Sequence, residues 1–154
     1  IRLDHIGSAL DPALGAEATA LAAGRPQFRW LGGRPHDEVR RRVQRAHVLV
    51  NASRMEGGAQ VVIEAIRSGT PVLASRIDGN LGLLGDDYEG LFAPGDDAAL
   101  AALLARARDD RDMLPRLAAT LAARSPRFAP QAERAALLAL VGRLLARAPD
   151  ASTP

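Results

Sequence analysis

The sequence predicts an α/β fold built on a parallel sheet, and three observations carry that prediction. Short apolar, strand-like runs alternate with amphipathic helical stretches over the first 93 residues. The remainder, from Asp96 onward, has a purely helical pattern. The chain is 154 residues long with 47% hydrophobic and 25% charged residues, so one domain with a proper core is expected.

The elements follow in order. Leu3–Ile6 reads as a short strand closed by Gly7-Ser8. Asp11 is placed to cap a helix whose first residue is Pro12 and which ends at Gly24. Phe28–Leu31 is a second strand, stopped by Gly32-Gly33. Pro35–Ala46 sets Val39 and Val43 on one helical face and arginines on the other. His47–Asn51 is a continuous apolar strand of the kind covered on both faces. Gly58–Ser68 reads as a helix, Pro71–Ser75 as a buried strand, and Gly90–Ala93 as a last short one. Helices then cover about 98–108, 112–123 and 130–148. Repeated βαβ units of this spacing give a Rossmann-like, doubly wound sheet with helices on both faces and a helical carboxyl-terminal end. Residues 1–127 form the expected domain, 128–148 a terminal helix, and 149–154 a disordered tail.

Composition excludes several classes of function. There is no cysteine, hence no disulfide, thiolate nucleophile or cysteine-ligated zinc. No uninterrupted apolar run is long enough to span a membrane, and without an export signal the expected place is the cytoplasm. The pI of about 10.3 suggests nucleic acid, yet the net charge is only +2 and every basic residue is arginine. The arginines are scattered, and aromatics amount to 3%, so no nucleic-acid platform is expected. The chain opens at Ile1 directly in a strand-like run, which reads as a piece of a longer protein.

Ligands of such sheets bind outside the carboxyl ends of the strands. One loop there stands out, Asn51-Ala52-Ser53-Arg54-Met55-Glu56-Gly57-Gly58-Ala59-Gln60. Adjacent glycines let backbone approach a ligand, and a helix start offers free N–H groups to a phosphate. Glu56 and Glu64 bracket this anion site, each able to accept two hydroxyl protons from a diol. Glu56 is equally explained as an acid complementing the helix dipole. Glu64 sits in the apolar run Val61-Val62-Ile63-Glu64-Ala65-Ile66, where an unpaired carboxylate is costly. Arg54 and Arg76 follow strands and stand within possible reach of a phosphate. His5, His36 and His47 are most simply structural, and Asp86-Asp87 and Asp109-Asp110 are solvated loop ends. The leucines of 137–145 form an apolar helix face.

The run from Glu56 to Glu64, followed by Ala65-Ile66-Arg67-Ser68-Gly69-Thr70-Pro71-Val72-Leu73-Ala74-Ser75, resembles the carboxyl-terminal half of GT-B glycosyltransferases of the GT4 kind. Trp30–His36, Ala46–Asn51 and Gly90–Asp96 fit the same family's order, so the resemblance covers nearly the whole chain. It implies that Glu56 holds hydroxyls of a donor sugar and that Glu64 accepts both ribose hydroxyls of the nucleotide. Gly57, Gly58 and Ala59 would meet the sugar and diphosphate through backbone. The Leu31–Arg34 turn would lie near the base, and Gly79 and Asn80 beside the sugar. The donor is expected to be a UDP-sugar, with neither cofactor nor metal required. Two departures stand out: Gly58 replaces an aromatic residue, and Leu81-Gly82 replaces the usual Pro-Glu. With them the wording looks closest to the selenosugar synthases of selenoneine biosynthesis, which implies selenophosphate as acceptor. A GT4-like transferase acting on a hydroxyl, and a non-catalytic nucleotide-binding or assembly module, are the alternatives. The family's diphosphate-binding arginine and lysine, and its acceptor-binding amino-terminal domain, fall upstream of this chain. The final helix is expected to pack on that domain, and the fragment alone to be inactive.

Overall fold

A computed structural model of the chain describes residues 1–147; the expected tail at 149–154 lies outside the described residues. Five strands alternate with helices: β1 (Leu3–His5), α1 (Pro12–Gly24), β2 (Phe28–Trp30), α2 (His36–Arg45), β3 (Leu49–Asn51), α3 (Gln60–Ser68), β4 (Val72–Ser75), α4 (Asp78–Leu84) and β5 (Leu91–Phe92). Then come α5 (Asp97–Asp109), α6 (Met113–Arg124), a 3₁₀ turn (Ser125–Phe128) and α7 (Pro130–Arg147). All strand pairs are parallel, with helices on both sides, the Rossmann-like architecture the alternation predicts. Among the described residues, no helix is long and apolar enough to cross a membrane.

Four expectations need correction. The strands form two sheets rather than one: β1 pairs with β2, while β3, β4 and β5 form a separate group in that order. Strand β3 begins at Leu49 instead of His47, because its first pairing partner is Val72 of β4. Helix α3 starts at Gln60 instead of Gly58; glycine is a poor helix former, and buried Ala59 stands at the cap position. Gly79 and Asn80, expected in a loop beside the sugar, lie in helix α4. Two glycines hide that helix from a propensity reading, and burial of Asn80 and Leu84 supplies what propensity lacks.

The core centres on β4, whose four residues are all buried as an interior parallel strand requires. Val62, Ala65 and Ile66 of α3 pack on one another and on the core set, with Met113, Leu117 and Leu121 contributed by α6. Gly69 closes α3 with a left-handed conformation (φ 75°) that glycine adopts without strain, turning the chain directly into β4. Tyr88 accepts from Val72 N at 3.2 Å and donates to Val72 O at 2.9 Å, so its hydroxyl serves the first residue of β4. Burial pushes that hydroxyl well above the usual tyrosine pKa. Caps at Asp11 and Asp96, each accepting a backbone N–H at 2.8 Å, start α1 and α5 where expected.

Candidate functional site

The loop from Asn51 to Ala59 leaves the carboxyl end of β3 and delivers the chain to α3. No side chain caps α3, so its leading N–H groups remain for solvent or a ligand, as an anion site requires. The helix ends at Gly69 after nine residues, and its start lies at the same edge of the sheet as the other strand-to-helix loops.

Glu64 lies in the second turn of α3 with only 9% of its side chain exposed. The burial expected from its apolar neighbours is present, and so is a partner that pays the cost: His36 Nε2 stands 2.5 Å from Glu64 Oε1. His36 is the first residue of α2, just past the β2–α2 turn, and is itself 72% exposed. The carboxylate is thereby held against the first residue of α2. In the β2–α2 turn Arg34 Nε donates to Leu31 O at 2.9 Å, which holds the turn closed.

Glu56 is half-buried, and Ser53 Oγ donates to its Oε1 at 2.9 Å. Ser53 is in turn held from below, since Ser75 Oγ donates to Ser53 O at 2.5 Å. Asn80 lies fully buried beneath the same loop, donating to Ser75 O at 2.9 Å and lying 3.3 Å from Asn51 Oδ1. Its own Oδ1 is buried without a partner among the described residues. Asn80 thus supports the loop from the ends of β3 and β4, rather than projecting from an open loop.

Gly79 brings α4 against this loop. A side chain there would collide with the Glu56 carbonyl and come within 3.2 Å of Gly58 N. Gly57 and Gly58 are exposed, while Ala59 is buried. The Glu56–Ala59 loop, the α3 start and the α4 start are therefore one assembly. Arg76 is differently engaged: its Nη1 donates to Asp86 O at 3.2 Å, towards the loop before β5. Arg54 is exposed, and no hydrogen bond involves its side chain among the described residues.

Sequence reasoning missed the supporting residues Asn51, Ser53, Ser75 and His36. Ser53 carries a local signal, three residues before Glu56, whereas His36 is 28 residues from Glu64 and carries none. A cleft of 970 Å³ lies elsewhere, between β1, β3, α2 and α5, and includes neither Glu56 nor Glu64. A wide cleft is only one way to hold a ligand, and the polar groups that converge are at the loop. No cluster of three or more His, Asp or Glu placed to hold a metal occurs among the described residues.

Comparison with known proteins adds two findings. The family described as glycosyl transferases group 1 matches residues 16–123. Crystal structures of Anabaena HepE share the fold. The complex with UDP is 20% identical, with a TM-score of 0.73, over 92% of this chain and 41% of that one. The complex with UDP and glucose is 20% identical (TM-score 0.72, 92% and 40%), and that with UDP-glucose 21% identical (TM-score 0.65, 82% and 36%). The chain thus spans 36 to 41% of the length of these structures.

Proposed function

Because this chain belongs to the glycosyl transferases group 1 family, we propose that it is the nucleotide-sugar-binding half of a GT-B, GT4-like transferase. In the intact protein it would bind a UDP-sugar and pass the sugar to an acceptor. The observation that carries this reading is Glu64, a nearly buried carboxylate on α3 held by His36 at the start of α2, just past the β2–α2 turn. Burial lowers the local dielectric and His36 fixes one oxygen, leaving the other to accept ribose hydroxyl protons. The uncapped start of α3 and the Gly57–Ala59 backbone would meet the diphosphate, and Glu56, oriented by Ser53, the sugar hydroxyls. UDP, bound by the structurally similar HepE, supports the choice of nucleotide.

The proposed chemistry is positioning and electrostatics. N–H dipoles at the α3 start stabilise the charge that gathers on the departing diphosphate, without recourse to a metal. Further cations and the acceptor site would come from an amino-terminal domain, and α7 would pack on it. Six apolar residues of α7 between 137 and 145 are 43 to 71% exposed, which supports a covering partner. We assign selenophosphate as acceptor on the wording of Ser53–Ala59 and of Ser75–Gly85.

The test uses the intact protein. Titration with UDP and UDP-sugars should give binding that Glu64→Ala weakens by about 10- to 100-fold, the effect of losing about 1.5–3 kcal/mol of charged hydrogen bonding. Unchanged affinity in that variant contradicts the assignment of Glu64, and absence of binding in the unmodified protein favours a non-catalytic module. Sugar transfer to selenophosphate, assayed beside hydroxyl acceptors, decides the acceptor.

A further inference from the structure

Among the described residues, 52–58 make no hydrogen bond from backbone to backbone, so bonds involving side chains hold the loop that carries Glu56. They meet at Ser53. Its N–H donates to Asn51 Oδ1 at 3.4 Å, its carbonyl accepts from Ser75 Oγ at 2.5 Å, and its hydroxyl donates to Glu56 Oε1 at 2.9 Å. Ser75 and Asn80, both fully buried, anchor this point from the core, with Asn80 Nδ2 donating to Ser75 O at 2.9 Å.

Counting protons gives the chemistry of the Ser53–Glu56 pair. A serine hydroxyl has one proton and two lone pairs, and a carboxylate has lone pairs alone. The single proton of Ser53 is committed to Glu56, so towards any further group both side chains can only accept. Among the described residues nothing donates to Ser53 Oγ, and Glu56 Oε2 makes no hydrogen bond. Both residues are half-buried beside the exposed Gly57 and Gly58, where water or a ligand can reach them. The two free acceptors flank one hydrogen bond of 2.9 Å, close enough for hydroxyls on adjacent carbons of one ring to reach both. We propose that Ser53 and Glu56 form an acceptor-only pair that takes one hydrogen bond from each of two adjacent hydroxyls of the donor sugar, which makes Ser53 a specificity-determining residue. The pair favours a sugar with a free vicinal diol. It rejects one in which either hydroxyl is replaced by a group that cannot donate, because a polar group left unpaired in a desolvated site is costly. The inference rests on the proposed placement of the donor sugar at Glu56 and adds what that sugar must carry. Glu64 is held separately by His36, so the effect is confined to the sugar half of the donor.

The test titrates the intact protein with UDP, UDP-glucose and UDP-glucose in which fluorine replaces the hydroxyl on carbon 2, 3 or 4. Fluorine there removes the donated proton. At least two analogues, substituted at adjacent carbons, should bind about 10-fold more weakly than UDP-glucose, the size of a lost hydrogen bond to a charged group. Ser53→Ala removes the hydroxyl and leaves both backbone bonds of Ser53 in place, so the loop keeps its course. It should weaken UDP-glucose about 10-fold, leave UDP within about twofold, and abolish the penalty for one of the sensitive analogues. Ser53→Thr, which keeps a hydroxyl, should restore both affinity and penalty. Equal losses for UDP and UDP-glucose in Ser53→Ala mark a purely structural serine and overturn the inference. It is also overturned by UDP-glucose affinity or penalties that Ser53→Ala leaves intact, and by a penalty at one carbon, at none, or at carbons 2 and 4 alone. Binding of UDP without UDP-glucose overturns it as well, whereas failure of UDP itself to bind overturns the proposed function beneath it.

Discussion

Glu64 is an acid in an apolar run, and its partner decides whether it is a liability or a tool. His36 supplies a hydrogen-bond partner at 2.5 Å, so the carboxylate is neither unpaired nor free to turn outward. Gly79 acts on the other glutamate, since only the absence of a side chain lets α4 approach the Glu56 carbonyl. Gly79→Ala should therefore cost about 1–3 kcal/mol, as overpacking against backbone does, and weaken UDP-sugar binding by displacing the Glu56 loop. A denaturant midpoint and a titration on the same variant check both effects; a stable variant with unaltered affinity contradicts the close approach. Glu64 was legible in the sequence because burial of a lone carboxylate is a local contradiction that demands an answer. The answer, His36, was not legible, because nothing within its own helix marks a histidine for a partner 28 residues away.

At the scale of elements, burial decides what propensity leaves open. Helix α4 contains Gly79 and Gly82, and burial of Asn80 and Leu84, with Leu83 packed against the core, offsets their poor propensity. A reading by residue type turns it into a loop, whereas the capped helices α1 and α5 announce themselves through Asp11 and Asp96. Charge ties the later elements together. Glu89, just before β5, accepts from Arg116 of α6 and pairs with Arg106 of α5. The Arg116 bond, then that of Arg106, holds its carboxyl below the ordinary glutamate value of 4.5. A depressed folded pKa gives stability that is present above that value and lost as the pH falls through the folded one. Glu89→Gln should accordingly lower the melting temperature at neutral pH, and the gap to the unmodified protein should close below about pH 4. A gap that persists in acid assigns the effect to packing. High salt should shrink the neutral-pH gap, because all three side chains are partly exposed.

For the molecule as a whole, the fold class was legible because alternating periods of two and 3.6 leave few architectures to choose from. The division into two sheets was not, since the periodicity of a strand says nothing about which neighbour it pairs with. The same holds for the site: the Glu56–Glu64 spacing was readable, while the layer of Asn51, Ser75 and Asn80 beneath it depends on β3, β4 and α4 meeting. On the proposed function, Glu64 and the start of α3 receive a uridine diphosphate. The most direct measurement is a crystal structure of the intact protein with UDP bound. Both ribose hydroxyls within hydrogen-bond distance of the Glu64 carboxylate, with the diphosphate at the Gly57–Gln60 amides, is the predicted result. UDP seated in the cleft between β1 and β3, or bound while Glu64 contacts His36 alone, would contradict it.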